Sequence, residues 1–484
     1  MVLRDRTAVN LGWTAVAQGF SVGLNQIVLL ILASILDPYD FGVYAACTVV
    51  NSLLVQLTTL GLDYAVIHSK DEWRRVLSNG SLLRILLTIV GFAIVVVLAR
   101  NIGGLFKIDG LETPIILASS SAVIISLAFP AQMSLTKNLQ FKQLSISKIS
   151  GSVTWSFLAL ALALLGWSFW SLIVALVASQ VAILVSTYLL SPQRFTVDFD
   201  RTTSDRLIRF GGITASGLFL AFLATNLDKF VVGSVVGPDS LGVYWAMFIY
   251  GTMAPSWLTG VINTVMFPTY TLLRDKTESL KTAYSDTLRY VTEFSAPISM
   301  GIAGGSAIFV MALLGSRWES GIASLAVLSL AGFFMSITSP AGNVFISIGR
   351  SDLIFKITLA FLVPMILLMV GAAYAYGMLG VAVVVLGHEG SKCIYVVYKA
   401  GRLIGSESGS IIREIYPSVA GGSITGLTVL GIYVFLGASL PTLALAVASG
   451  LTIYFVVAQL LSKGALLRDI REGSRIVRKR RLSD

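Results

Sequence analysis

Asp37-Pro38-Tyr39-Asp40-Phe41-Gly42-Val43-Tyr44-Ala45-Ala46 returns two hundred residues later as Gly237-Pro238-Asp239-Ser240-Leu241-Gly242-Val243-Tyr244-Trp245-Ala246. Pro38, Gly42, Val43, Tyr44 and Ala46 have identical counterparts at that offset. So do Gly12, Thr14, Ala15 and Ser34, which match Gly212, Thr214, Ala215 and Ser234 without a gap. Proline starts a helix and glycine lets two backbones approach closely, so the unit reads as a helix–turn–helix used twice.

Working outward, apolar stretches long enough to cross a bilayer fill the chain. A span needs about 20 mainly apolar residues. Fourteen can be laid out, near 9–35, 40–66, 81–99, 113–136, 145–166, 168–191, 207–235, 241–273, 290–315, 320–348, 353–377, 379–403, 411–436 and 438–463. The splits near Gly166, Gly377 and Gly437 rest on length alone. Hydrophobic residues make up 55% of the 484 and charged residues only 12%. The mean hydropathy is +0.83. A soluble sphere of this size needs a charged surface, so soluble enzymes, nucleic-acid modules, disordered chains and secreted disulfide scaffolds are excluded. Cys47 and Cys393 lie in apolar stretches and read as small core residues.

The formal charge of +10 reports loop charge rather than nucleic-acid binding. With the N-terminus in the cytoplasm, outside loops hold only Arg100, Lys107 and Arg317, whereas every inside segment carries at least two basic residues. A missed span would invert every later loop, so both ends are expected in the cytoplasm of a multi-pass membrane protein. Six spans separate the two copies of the motif. Both therefore enter from the same side, as in a parallel repeat whose axis follows the membrane normal. The expected organisation is an N-lobe over 1–200, a C-lobe over 201–404, two extra spans over 405–463 and a basic tail over 464–484. The tail, Arg468 to Arg481 with interleaved Leu and Ile, reads as lying on anionic lipid or as a disordered topology anchor. No loop has room for an extracellular or ATPase domain, and no phosphate-binding G-x-x-x-x-G-K-[ST] occurs.

Two six-helix lobes plus two spans, with D-P-x-x-x-G at the second helix, resemble the Wzx-type flippases. These form the polysaccharide branch of the multidrug/oligosaccharidyl-lipid/polysaccharide exporter superfamily. Leu36–Tyr44 followed by Gly61-Leu62-Asp63-Tyr64-Ala65-Val66-Ile67 is similar to that branch's N-terminal signature. Asn226-Leu227-Asp228-Lys229-Phe230-Val231-Val232-Gly233 with Leu241–Tyr244 is similar to its C-lobe signature, and Phe267-Pro268 to Arg274 resembles the end of its eighth helix. The resemblance covers nearly the whole chain. It implies alternating-access transfer of a polyprenyl-diphosphate-linked oligosaccharide to the outer leaflet, for O-antigen, capsule or exopolysaccharide. It implies partners in a polymerase and a ligase, and no cofactor beyond a proton or sodium gradient.

Such a cargo asks for a polar, partly cationic cavity. Charges within spans are costly and usually face one. Arg84 either snorkels to the interface or contacts the diphosphate. Asp228 and Lys229 are neighbours about 100° apart on a helix, hence poor partners for each other, and serve structural pairing or coupling. Glu389 and Lys392, three apart, form a local ion pair or line the cavity. His388 beside them is a weak candidate, and with His68 the only other histidine no metal site is expected. Asn25, Asn51, Gln56, Asn226 and Asn343 bond sugar hydroxyls or neighbouring helices.

Rival readings remain. Asp198-Phe199-Asp200 is the Asp-x-Asp of a metal-dependent glycosyltransferase, but in a short loop it reads as solvated. A polymerase or ligase would want a large outer loop. A multidrug cation exporter of the same superfamily has twelve spans. A peptidoglycan-precursor flippase would carry basic residues in spans 1 and 2, where 9–62 has none. A scaffold without transport is the last alternative.

Overall fold

The computed structural model describes residues 2–68, 72–191, 198–254, 266, 268–406 and 408–461. Among them every regular element is helical. Eleven helices are long and apolar enough to cross a membrane, or twelve with the bent pair Thr277–Gly304 and Ser306–Leu314 taken as one. In the first half of the chain these are α1 (Val2–Ile35), α2 (Pro38–Thr59) running on into α3 (Leu62–His68), α4 (Trp73–Leu105), α5 (Glu112–Lys137), α6 (Phe141–Leu164), α7 (Trp170–Leu190) and α8 (Arg201–Val231). After α9 (Pro238–Gly251) come α10 (Thr277–Gly304), the short α11 (Ser306–Phe309), α12 (Ile322–Ser347), α13 (Ser351–Leu403), α14 (Ser408–Leu436) and α15 (Leu440–Leu461).

The 53 residues of α13 are two spans. Gly377 has φ 60° and ψ −143°, a left-handed conformation that glycine adopts without a Cβ clash. The chain reverses there so tightly that a Cβ on Gly380 would lie 2.2 Å from the Ala372 carbonyl oxygen. The split expected near Gly377 is thus a backbone reversal. The remaining expected span, 241–273, begins as α9. Its residues 255–265 and Phe267 lie outside the described residues, as do Lys70, Arg194 and the basic tail.

Two expectations need correction. The segment before residue 290 is helix from Thr277 onward, because a span continues as helix past its apolar window into the interface. The stretch 290–315 is not one straight span, for it bends by 73° after Gly304. Outward faces are apolar: Val97, Leu189 and Phe435 are 77%, 81% and 87% exposed, which suits lipid as the solvent.

The chain groups into two compact units, Met1–Ala246 with Phe355–Val384, and Met247–Ile354 with Val385–Asp484. In the first, α2 starts on a capping box. Asp40 accepts from the Asp37 N–H at 3.1 Å, and Pro38 sits in the first turn, where its missing N–H costs nothing. The other oxygen of Asp40 accepts from the Ser168 hydroxyl and from the Phe169 N–H at 3.1 Å, tying α2 to the start of α7.

The repeat meets itself within this unit. A Cβ on Gly42 would lie 2.1 Å from the Pro238 carbonyl oxygen, and one on Gly242 would lie 1.8 Å from the Pro38 carbonyl oxygen. Each copy's glycine packs on the other copy's proline. Such reciprocity is the mark of a two-fold relation. Trp245 then covers Phe41 and Tyr44, with ring centroids 6.0 and 5.5 Å away. The second unit repeats the device where a Cβ on Gly304 would lie 2.0 Å from the Gly426 carbonyl oxygen.

Gly42→Ala and Gly242→Ala each push a methyl into a backbone carbonyl and are expected to cost on the order of 1–3 kcal/mol. Gly19→Ala, with nothing within 4 Å, is the matched control and should melt as the unsubstituted protein does. Thermal unfolding of the three variants in detergent checks this, and equal melting points would show that the crossing tolerates side chains.

Candidate functional site

The buried charges gather in separate clusters, each neutralised locally. In α4, Arg84 is 7% exposed, and its Nη1 donates to Asp63 Oδ1 at 2.6 Å. Its guanidinium lies 4.6 Å from the centre of the Phe129 ring of α5. Phe129 belongs to a buried apolar cluster with Leu62, Val66, Leu77 and Leu207. The Asp63 side chain is 41% exposed, whereas that of Arg84 is 8% exposed. Arg84 therefore does not simply snorkel outward; a carboxylate from another helix meets it.

Asp228 and Lys229 pair with each other, contrary to the sequence expectation. Lys229 Nζ donates to Asp228 Oδ1 at 3.2 Å and to the Thr225 carbonyl at 2.7 Å. The 100° separation holds for Cβ directions, but the four-carbon lysine stem curls back across it. Tyr244 of the repeated motif donates its hydroxyl to Asp228 Oδ2 at 2.9 Å. All three side chains are buried. The first copy of the repeat has Val28 and Leu29 at the corresponding positions, so only the second copy carries the charged triad.

In the second unit, Lys392 donates to Glu389 Oε1 at 2.6 Å, and His388 Nε2 lies 3.6 Å from the same oxygen. One turn along α13, Cys393 lines an apolar cavity of about 630 Å³. Met300, Phe333, Phe334, Ile412 and Val419 line it too, from α10, α12 and α14. Glu389 lies between the lining residues Leu386 and Cys393 on the helix, which places the ion pair near the cavity wall.

The uncharged candidates divide. Asn25 accepts from the Ser156 hydroxyl of α6 at 3.3 Å, and Asn226 donates to the Phe222 carbonyl of its own helix at 3.1 Å. Asn51 is 9% exposed, and its Oδ1 has no hydrogen-bond partner among the described residues. Gln56 is half-buried and Asn343 is buried.

The Asp-x-Asp segment is pinned rather than loosely solvated. Asp200 caps α8: its Oδ2 accepts from the Thr203 N–H at 2.9 Å and from the Thr202 hydroxyl at 2.7 Å. Bonds from Thr203 first, then Thr202, hold its carboxyl below the usual range. Asn79, fully buried in α4, donates to the Asp198 carbonyl at 2.9 Å and accepts from the Asp200 N–H at 2.8 Å and from Ser204 at 3.0 Å. Ser78 accepts from the Asp198 N–H at 2.6 Å. The aspartates thus fasten the start of the second repeat to the first. Asp63, Tyr244 and Asn79 were not singled out from sequence. Asp63 and Tyr244 stand inside the quoted motifs, and Asn79 carries no pattern that would mark it.

Removing one member of a buried pair leaves an uncompensated charge, typically a loss of about 3–5 kcal/mol, whereas an apolar replacement of both is often near neutral. Lys229→Met is therefore expected to destabilise strongly and Asp228→Leu/Lys229→Met to recover most of that loss, read by denaturant unfolding in micelles. Additive losses would show that the two charges do not act as a pair.

The family model described as polysaccharide biosynthesis protein matches residues 31–323. The chain is 25% identical over 362 residues to the lipopolysaccharide biosynthesis protein WzxC of Escherichia coli (strain K12), covering 74% of this chain and 73% of that one. It is 24% identical over 303 residues to the teichuronic acid biosynthesis protein TuaB of Bacillus subtilis (strain 168), 61% of this chain and 62% of that one. Among solved structures it matches a lipid II flippase, MurJ, in an inward closed conformation with a TM-score of 0.74 at 14% identity, covering 94% of this chain and 99% of that one. An inward-facing multidrug transporter of the MATE family matches with a TM-score of 0.64 at 15% identity, covering 80% and 94%. These likenesses establish the fold.

Proposed function

The chain belongs to the polysaccharide biosynthesis protein family, and from that membership we propose that it is a flippase for a lipid-linked oligosaccharide. The observation that carries the reading is the family match over residues 31–323, on a chain with the fold of membrane transporters. In this reading a polyprenyl-diphosphate oligosaccharide enters from the cytoplasmic leaflet and leaves to the outer one, for assembly of a surface polysaccharide by a polymerase and a ligase. The protein sits in the inner membrane with both ends in the cytoplasm, as the basic loops favour.

Several features support it. The parallel repeat gives two helix hairpins that can part and rejoin around a two-fold axis, which alternating access needs. The apolar cavity lined by Phe333, Phe334 and Ile412 offers a surface suited to an isoprenoid chain, whose transfer from water is favourable. Arg84 offers a guanidinium, the side chain best matched to phosphate oxygens. A relative from Rhizobium meliloti (strain 1021), 23% identical over 334 residues, is named a succinoglycan biosynthesis transport protein, which favours a carrier over an enzyme. The driving force is a gradient of protons or sodium, with Asp228 and Glu389 as the carboxylates available to carry it. Anionic lipid under the basic tail completes the set of partners.

Deletion of the gene is expected to halt surface polysaccharide while complete lipid-linked oligosaccharide accumulates with its glycan on the cytoplasmic face, as read by leaflet-specific lectin labelling of extracted inner membrane. Incomplete oligosaccharide, or complete oligosaccharide on the outer face, would assign the protein to another step.

A further inference from the structure

We propose that Asp63 is an internal stand-in for the cargo's anion: it neutralises Arg84 between transport events and is displaced by a diphosphate or carboxylate of the cargo. This rests on the flippase reading above. A guanidinium inside a membrane span needs an anion beside it. The anion supplied here is used sparingly. Among the described residues, the one hydrogen bond from Nη1 to Asp63 Oδ1 uses a single N–H of the five that Arg84 carries. The carboxylate engages through a single oxygen, although the fork would take two. A phosphate group or a second carboxylate can make the bidentate contact that Asp63 does not make.

Two further features let the partners exchange. Phe129 lies 4.6 Å from the guanidinium carbon, so the cation keeps its orientation when Asp63 leaves. Asp63 stands in the first turn of α3, just past Leu60 and Gly61, whose φ values are 44° and 63°. Two consecutive left-handed residues separate the seven residues of α3 from α2, and an extended-side-chain residue such as Leu60 holds that conformation only under strain. Leu62, Ala65 and Val66 keep α3 itself packed in the core, so the exchange needs only a rotation of the Asp63 side chain. Its 41% exposed side chain marks the route by which an anion reaches Arg84, which is itself 7% exposed. The other two buried pairs lack this arrangement: Asp228 and Lys229 are both buried, and Glu389 and Lys392 share one helix face.

The test uses the full-length protein in lipid nanodiscs and titration calorimetry. The probes are farnesyl diphosphate for the lipid diphosphate, farnesol as its neutral control and trigalacturonic acid for an acidic glycan. Asp63→Asn removes the competing charge and is expected to tighten anion binding by about threefold to tenfold. Arg84→Ala should weaken it by at least about tenfold, and Arg84→Lys, which keeps the charge without the fork, should fall between. Asp63→Ser, with a smaller neutral side chain, must move binding in the same direction as Asp63→Asn. A response confined to farnesyl diphosphate places the anion on the lipid, and one confined to trigalacturonic acid places it on the glycan; both support the exchange. The inference is overturned if Asp63→Asn weakens binding as Arg84→Ala does, or if no variant changes it. A protein that binds neither anion also overturns it, while leaving the flippase reading to its own leaflet test.

Discussion

Two carbonyl oxygens, of Pro38 and Pro238, occupy the space where Gly242 and Gly42 would otherwise carry side chains. Between lipid-exposed helices the hydrophobic effect supplies little attraction, so association depends on close van der Waals packing. Backbone-on-backbone contact is the densest form of it. The crossing needs glycine in both copies at once, and proline one turn earlier to set where each helix begins. The shared offset of the motif is therefore a packing constraint. From it follow the place of Trp245 over Phe41 and Tyr44, and the route by which Tyr244 reaches Asp228.

Against this symmetric frame the polar groups are asymmetric. The first copy uses Asp40 to hold the start of α7, and the second has Ser240 there. The second carries Asp228 and Lys229 where the first has Val28 and Leu29. Asn79 donates once to its own helix, at the Arg75 carbonyl, and spends its other donor and its acceptor on the segment that joins the copies. Most buried polar groups are thus committed to holding helices in place, as expected where unpaired ones are costly. Arg84 departs from the pattern, because its counter-ion is half in the open and holds it by one oxygen.

The sequence made the frame legible because the bilayer fixes span length and the repeat fixes direction. The break near Gly377 is readable from length alone, because 357–387 holds no charge and is too long for one span. The side-chain partners were less readable. Asp63 and Arg84 lie on different helices, and no periodicity links them. The Asp228–Lys229 pair is hidden in the sequence because Cβ directions ignore the reach of a lysine stem. Asp200 looked like half of a metal-binding pair because a helix cap and a metal ligand ask for the same carboxylate. The bend after Gly304 was hidden because hydropathy continues smoothly through it.

The central claim is that this single chain moves a lipid-linked oligosaccharide between leaflets. The most direct measurement reconstitutes the purified protein in vesicles carrying a short polyprenyl-diphosphate oligosaccharide and follows, with time, the fraction of glycan open to an external glycosidase. The account predicts that the protected half becomes accessible within minutes only in vesicles that contain the protein under an imposed ion gradient. Glycan that stays protected at the level of protein-free vesicles would contradict it.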